Sequence, residues 1–203
     1  MLLRIFSGNI NERHIESAVE VLRKDGVIVI PTDTIYAMAC STKSNKAFER
    51  ICRLKKVKPE KANFSFLCAG LANISDYTKP FSREVFRVMK NSLPGPFTFI
   101  LDANHHVPTI FRGNKKTIGI RVPDNDIALA IVHALGHPLM VTSIHDEDQM
   151  LEYTTDPEVI DEKLGADVDL VIDGGPGELA PSTIIDCTGP VPVVIREGKG
   201  VLR

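Results

Sequence analysis

Apolar residues fall in short runs along this chain, and most runs end on glycine, proline or a small polar residue. The densest is Val27-Ile28-Val29-Ile30, where four β-branched residues in succession predict a strand buried on both faces. Pro31 cannot donate to a ladder, and Thr32, Asp33 and Thr34 follow as three small oxygen-bearing side chains. A polar loop beyond a buried strand can position a ligand or can cap backbone N–H groups, and the residues alone leave both readings open.

The other runs predict further elements in chain order. Asn11 caps a helix with Ile15, Ala18, Val19 and Leu22 on one face, and Asp25-Gly26 ends it. A second helix begins near Asn45, with Phe48, Ile51, Cys52 and Lys55 on one face, and must stop before Pro59. Phe64 to Cys68 reads as a strand. Ser82 caps a short helix holding Val85, Phe86, Val88 and Met89. Strands follow at Phe97 to Leu101 and Thr117 to Pro123, then a helix through Ile127, Ala130, Ile131 and Ala134. Leu139 to Ser143, Val168 to Ile172, Thr183 to Asp186 and Val193 to Arg196 are strands, and Asp156-Pro157 opens an acidic helix before the second of them. Helices and strands alternate early and strands crowd the C-terminal half. This predicts one α/β domain over residues 1–203 with a twisted, mixed sheet.

The chain has 203 residues, 43% apolar and 25% charged, as in ordinary globular proteins. No apolar run approaches the roughly 20 residues that span a bilayer, and the N-terminus turns polar too soon for a secretory leader, so no membrane partner is expected and the cytoplasm is the expected compartment. Cys40, Cys52, Cys68 and Cys187 form no Cys-x-x-Cys pair and read as buried, reduced thiols. Net charge is −2, which argues against a general nucleic-acid coat, yet the charges are segregated. Eight Lys or Arg against two Glu lie between Lys43 and Lys61, and eleven Asp or Glu against Lys163 lie between His145 and Asp173. The basic stretch suggests one local anionic ligand, although a run of charge is more often a solvated helix face. His145-Asp146-Glu147-Asp148 reads as a solvated loop and not a metal site, because consecutive residues rarely converge on one ion.

No Gly-x-Gly-x-x-Gly or Gly-Lys-Ser/Thr loop follows any strand. What recurs is a small polar or basic residue at a strand end: Thr34, Arg121, Ser143, Arg196 and, at a strand start, Ser182. If these edges line one cleft, it holds hydroxyls and guanidinium groups and takes an anion, acting by positioning and charge neutralisation. No Ser/His/Asp or Cys/His nucleophile system is indicated.

Pro31-Thr32-Asp33-Thr34-Ile35-Tyr36-Ala37-Met38 resembles the Pro-Thr-Asp-Thr-x-Tyr-Gly-Leu signature of the YrdC/YciO family. Leu93-Pro94-Gly95-Pro96-Phe97-Thr98 is similar to that family's Trp-Pro-Gly-Pro-x-Thr turn, and Thr117 to Pro123, Thr142-Ser143, Pro181 to Asp186 and Arg196-Glu197-Gly198 fall in its order. The similarity spans nearly the whole chain and is strongest to the short YciO-type branch. It implies a YrdC-like α/β fold around a large, positively charged concave cleft. It implies threonylcarbamoyl-AMP synthesis from L-threonine, bicarbonate and ATP, with release of pyrophosphate and with Mg²⁺ on the phosphates, for tRNA threonylcarbamoyladenosine. The alternative the family offers is a paralogue that binds tRNA or double-stranded RNA without efficient synthesis.

By the same resemblance Thr34, Arg121 and Ser182 hold threonine, with Arg121 on its carboxylate. Thr117, Ser143 and Arg196 contact the nucleotide. The family's Lys-x-Arg-Pro segment, which neutralises phosphates, falls on Lys56-Val57-Lys58-Pro59, with Lys55 an alternative to Lys56. Its Ser-x-Asn motif falls on Ser143-Ile144-His145, so Lys56, Lys58, Ser143 and His145 take the catalytic positions. Lys58 lacks the arginine fork and His145 lacks the amide's paired donors, each worth about 1–3 kcal/mol of lost hydrogen bonding. A weakened synthase is therefore expected.

Overall fold

The computed structural model describes residues 1–112, 116–144 and 152–202. The strands are β1 (Leu2–Arg4), β2 (Ile28–Ile30), β3 (Ala37–Ser41), β4 (Ser65–Leu67), β5 (Phe97–Asp102), β6 (Thr117–Arg121), β7 (Leu139–Ser143), β8 (Leu170–Asp173), β9 (Thr183–Asp186) and β10 (Val193–Arg196). The helices are α1 (Glu12–Arg23), α2 (Asn45–Leu54), α3 (Arg83–Ser92), α4 (Thr109–Arg112), α5 (Asp126–Leu135) and α6 (Pro157–Leu164). Among the described residues the strands join one mixed sheet in the order β1-β8-β2-β3-β7-β4-β6-β5-β9-β10. This is the single α/β domain expected from the sequence. No helix among these residues is long and apolar enough to cross a membrane.

Helix ends follow the expected chemistry. Asn11, Ser44, Ser82, Asn125 and Asp156 each accept a backbone N–H in the first turn. α2 ends at Leu54, so Lys55 is its cap and not a member of the apolar face. Of the apolar residues in α3, Val85 and Met89 turn fully inward and Phe86 is 48% exposed. β1 and β3 were not anticipated.

The two faces of the sheet are covered unequally. On one face, Phe48 and Ile51 of α2, Val85 and Met89 of α3, Phe111 of α4 and Ile160 of α6 pack into a single core with Phe66, Phe99, Ile118, Ile120 and Ile185. On the other, α1 and α5 meet Ile28, Ile30, Ala37, Ala39, Leu139, Val141, Leu170 and Ile172, and β6, β5, β9 and β10 contribute nothing to that cluster. Among the described residues, half of the second face therefore carries no helix. Its floor is small: a Cβ on Gly119 would lie 2.5 Å from Ser65 Oγ and 3.3 Å from the Thr98 methyl.

The first core is knit by edge-to-face rings, with Phe48 at 4.9 Å from Phe111 and 5.7 Å from Phe64 between centroids. Phe48→Ala is expected to cost about 3–5 kcal/mol by lost contact and cavity formation. Urea unfolding checks this: the midpoint should fall with the slope unchanged.

Candidate active site

The bare half-face deepens into a cavity of about 130 Å³ where β3, β4, β6 and β7 meet β5 and β9. Its wall includes Thr34, Arg121, Ser143, Ser182 and Arg196, so five residues from distant segments come together. Asn63, Ser65, Thr98 and Thr142 add further polar groups, and none of the lining residues is a carboxylate. Sequence reasoning gave none of these four a site role: Thr98 and Thr142 stand in the family-like blocks without one, and nothing in the local pattern marks Asn63 or Ser65. They reach the cavity only because the sheet order brings β4, β5 and β7 beside β6 and β9.

Arg121 leaves the end of β6 and is buried at 8% exposure. Its Nη2 donates to Asp33 Oδ1 and to Thr34 Oγ1, both at 2.9 Å. Its Nε is buried without a partner among the described residues. Burial pulls the guanidinium pKa down, the charge and hydrogen bond of Asp33 pull it back up, and Arg196 lowers it again. Arg121 is thus one partner of a structural ion pair and also part of the cavity wall.

The Thr32-Asp33-Thr34 loop caps backbone groups, one of the two readings its sequence allowed. Thr32 Oγ1 accepts from the Thr34 amide at 3.0 Å and donates to the Ile35 carbonyl at 2.9 Å. Asp33 Oδ2 accepts from the Asp124 amide at 3.1 Å. This local capping fixes Thr34 beside Arg121. Beneath the loop, Tyr36 takes a hydrogen bond from the Gly174 amide at 3.1 Å and donates to the Gly175 carbonyl at 2.6 Å. Burial raises its pKa to about 12, so it stays a donor.

On the opposite side, Ser182 Oγ lies 2.8 Å from Thr98 Oγ1, and Arg196 Nη2 donates to the Ser182 carbonyl at 2.8 Å. The other expected site residues lie elsewhere. Thr117 shares a strand with Arg121 but sits at its far end, about 13 Å away at the usual rise per residue. Lys55, Lys56 and Lys58 follow α2 and do not line the cavity; the chain reaches its rim only at Asn63. Lys56 holds φ 53°, the left-handed region at which glycine usually ends a helix, while Val57 N bonds back to Cys52 O at 2.9 Å. His145 lies outside the described residues, as do Asp146 to Asp148.

No group of three or more His, Cys, Asp or Glu among the described residues could hold a metal ion. All four cysteines are buried, and burial raises the thiols of Cys52 and Cys187 to about 11 and Cys68 to about 12. Protonated, enclosed thiols do not serve as nucleophiles.

The chain is thus an open α/β sheet with a cavity at its strand ends, walled by two arginines and several hydroxyls. Residues 20–198 match the Sua5/YciO/YrdC family model, described as telomere recombination. The chain is 44% identical over 201 residues to Escherichia coli YciO, covering 98% of this chain and 96% of that protein. It superposes on the crystal structure of E. coli YciO with a TM-score of 0.91, covering 99% of this chain and 97% of the other. This chain belongs to the Sua5/YciO/YrdC family. A more distant relative is the threonylcarbamoyl-AMP synthase of Bacillus subtilis, 28% identical over 93% of this chain and 54% of its own. The Pyrococcus abyssi Sua5 structure complexed with L-threonine shares the fold at a TM-score of 0.88 and 24% identity, over 98% of this chain and 57% of its own.

Asp33→Ala strands a buried guanidinium and is expected to cost about 3–5 kcal/mol in urea unfolding. A thiol reagent at pH 8 is expected to find the cysteines slow in the folded protein and all four reactive in denaturant.

Proposed function

We propose that the cavity binds L-threonine and, with bicarbonate and ATP bound over the adjoining bare floor, forms threonylcarbamoyl-AMP. The observation that carries this reading is the wall itself: two arginines and several hydroxyls, with no carboxylate among the lining residues. Guanidinium groups and hydroxyls on one wall suit a compact carboxylate ligand. About 130 Å³ suits an amino acid and falls below the ~300–1,000 Å³ of sites that enclose larger ligands. The nucleotide would extend outward, past Ser143 and Arg196 toward Thr117.

In this reading Thr34, Arg121 and Ser182 hold threonine. Its amine adds to bicarbonate to give a carbamate and water. A carbamate oxygen then attacks the α-phosphate and pyrophosphate leaves. Arg196, Lys56 and Lys58 offset the developing negative charge. Mg²⁺ commonly rides on nucleotide phosphates and water, which fits a wall without carboxylates; this chain gives it no evident ligand among the described residues. Lys56 in the left-handed region is the kind of backbone cost, about 1 kcal/mol, that proteins retain at working sites.

A second reading, RNA binding without synthesis, draws support from Lys56 and Lys58, which are exposed outside the cavity. The two separate in one set of assays. Synthesis predicts an AMP adduct and pyrophosphate that require both threonine and bicarbonate, with Arg121→Met lowering the rate at least about 100-fold. No adduct from this protein, beside a working Bacillus subtilis synthase, would overturn it. RNA binding predicts a salt-dependent affinity that alanine at Lys55, Lys56 and Lys58 weakens, with a shallower salt slope. Lys56→Gly is expected to raise stability by up to about 1 kcal/mol and to slow adduct formation, which thermal melting and the adduct assay measure together.

A further inference from the structure

The segment after β10 is fixed along its backbone. The Gly198 amide donates to Thr183 Oγ1 at 3.0 Å, Thr183 Oγ1 donates to the Gly200 carbonyl at 2.6 Å, and the Lys199 amide donates to the Pro181 carbonyl at 2.8 Å. A side chain at Gly198 would collide with the Pro181 carbonyl, and one at Gly200 with the Phe97 ring. The tail therefore lies flush against residues 181–183, the same stretch that carries Ser182 into the cavity wall.

From this fixed backbone Lys199 reaches across to the other wall. Its Nζ donates to the main-chain carbonyl of Asp33 at 2.9 Å and to Glu178 Oε1 at 3.2 Å. Asp33 is the residue before Thr34, and its carboxylate is already engaged by Arg121 and by the Asp124 amide. Lys199 is thus placed to join the two sides of the site, tail and Ser182 on one, Asp33, Thr34 and Arg121 on the other, over 166 residues of sequence separation.

We infer that Lys199 is a positioning residue that couples the C-terminal tail to the Thr-Asp-Thr loop and so sets the spacing between the Arg121 and Ser182 walls of the cavity. It does not line the cavity. Its work is done through the Asp33 carbonyl, and Glu178 orients the ammonium toward that carbonyl. An ammonium with three donors can hold both acceptors at once. A neutral side chain of similar length keeps the packing and loses both bonds. Arginine keeps the charge and the donors. The effect on ligand binding rests on the threonine reading above, whereas the effect on the loop does not.

The experiment has two arms on the full chain. Hydrogen exchange comes first, comparing Lys199→Met with wild type. The inference expects faster exchange in residues 32–36 and 181–183 and unchanged exchange in β8, with Lys199→Arg close to wild type. Unchanged exchange in 32–36 overturns it. So does equally faster exchange across β8, which would mean a general loss of stability. Calorimetry with L-threonine comes second, expecting about tenfold weaker binding for Lys199→Met, the scale of one lost charge-assisted hydrogen bond, and recovery in Lys199→Arg. Equal binding by wild type and Lys199→Met overturns the positioning role. If wild type binds no threonine, alone or with ATP and bicarbonate, the proposed function fails, and the coupling is decided by the exchange arm alone.

Discussion

A buried arginine has to be answered by a buried acceptor, and the ion pair between Arg121 and Asp33 supplies that answer here. Their side chains are 9% and 7% exposed. An uncompensated charge at that depth costs several kcal/mol, so neither side chain is tolerable without the other. Asp33 then has one oxygen left, and it goes to the Asp124 amide. The conformation of the Thr32 to Ile35 loop follows, because Asp33 must face β6 while Thr32 folds back on its own backbone. Thr34 shares the same guanidinium nitrogen. The hydroxyl at the cavity wall is therefore placed by a charge-balance requirement as much as by the turn.

The cavity exists because the sheet is finished unevenly. α1 and α5 cover the face over β8, β2, β3 and β7. The chain through β4, β5 and β6 places α3 and α4 on the opposite face, where their apolar residues join the larger core. What remains on the first face is Thr98, Gly119, Ser65 and Ser182, residues too small or too polar to demand a helix above them. β6 and β9 alternate between buried and half-buried positions along most of their length, as expected of a half-covered sheet.

Much of this was legible from residue order. Ile15, Ala18, Val19 and Leu22 announce α1, and all four are buried. Val27 to Ile30 announce β2, fully enclosed. The polar strand ends at Thr34, Arg121, Ser143, Ser182 and Arg196 were visible as a set, and they share a cavity. β3 escaped notice because Ala37-Met38-Ala39-Cys40 contains no β-branched residue; pairing with β2 and β7 makes it a strand, an override of local propensity by tertiary contact. The exposure of Phe86 was not legible, because helical spacing alone cannot say how wide the covered stripe is. The partnership of Asp33 with Arg121 spans 88 residues, and that of Lys199 with Asp33 spans 166, distances over which no local pattern carries information. Family order gave Lys55, Lys56, Lys58 and Thr117 a place in the site; the coordinates put them at its margin or beyond.

The slot between β1 and β2 is filled by β8, so Leu2 to Arg4 lie beside Val171 to Asp173, and Ile28 and Val29 beside Leu170 and Val171. During synthesis, β2 and β3 can zip into a hairpin as soon as both emerge, but the far edge of β2 waits for more than a hundred residues. For that interval an enclosed-type strand, Ile28-Val29-Ile30, has one open row of amides and carbonyls. Closure is parallel and long in sequence, the slowest kind of pairing to find. The nascent chain thus holds an unpaired strand edge open until β8 has been made, and such an edge is a template for mispairing.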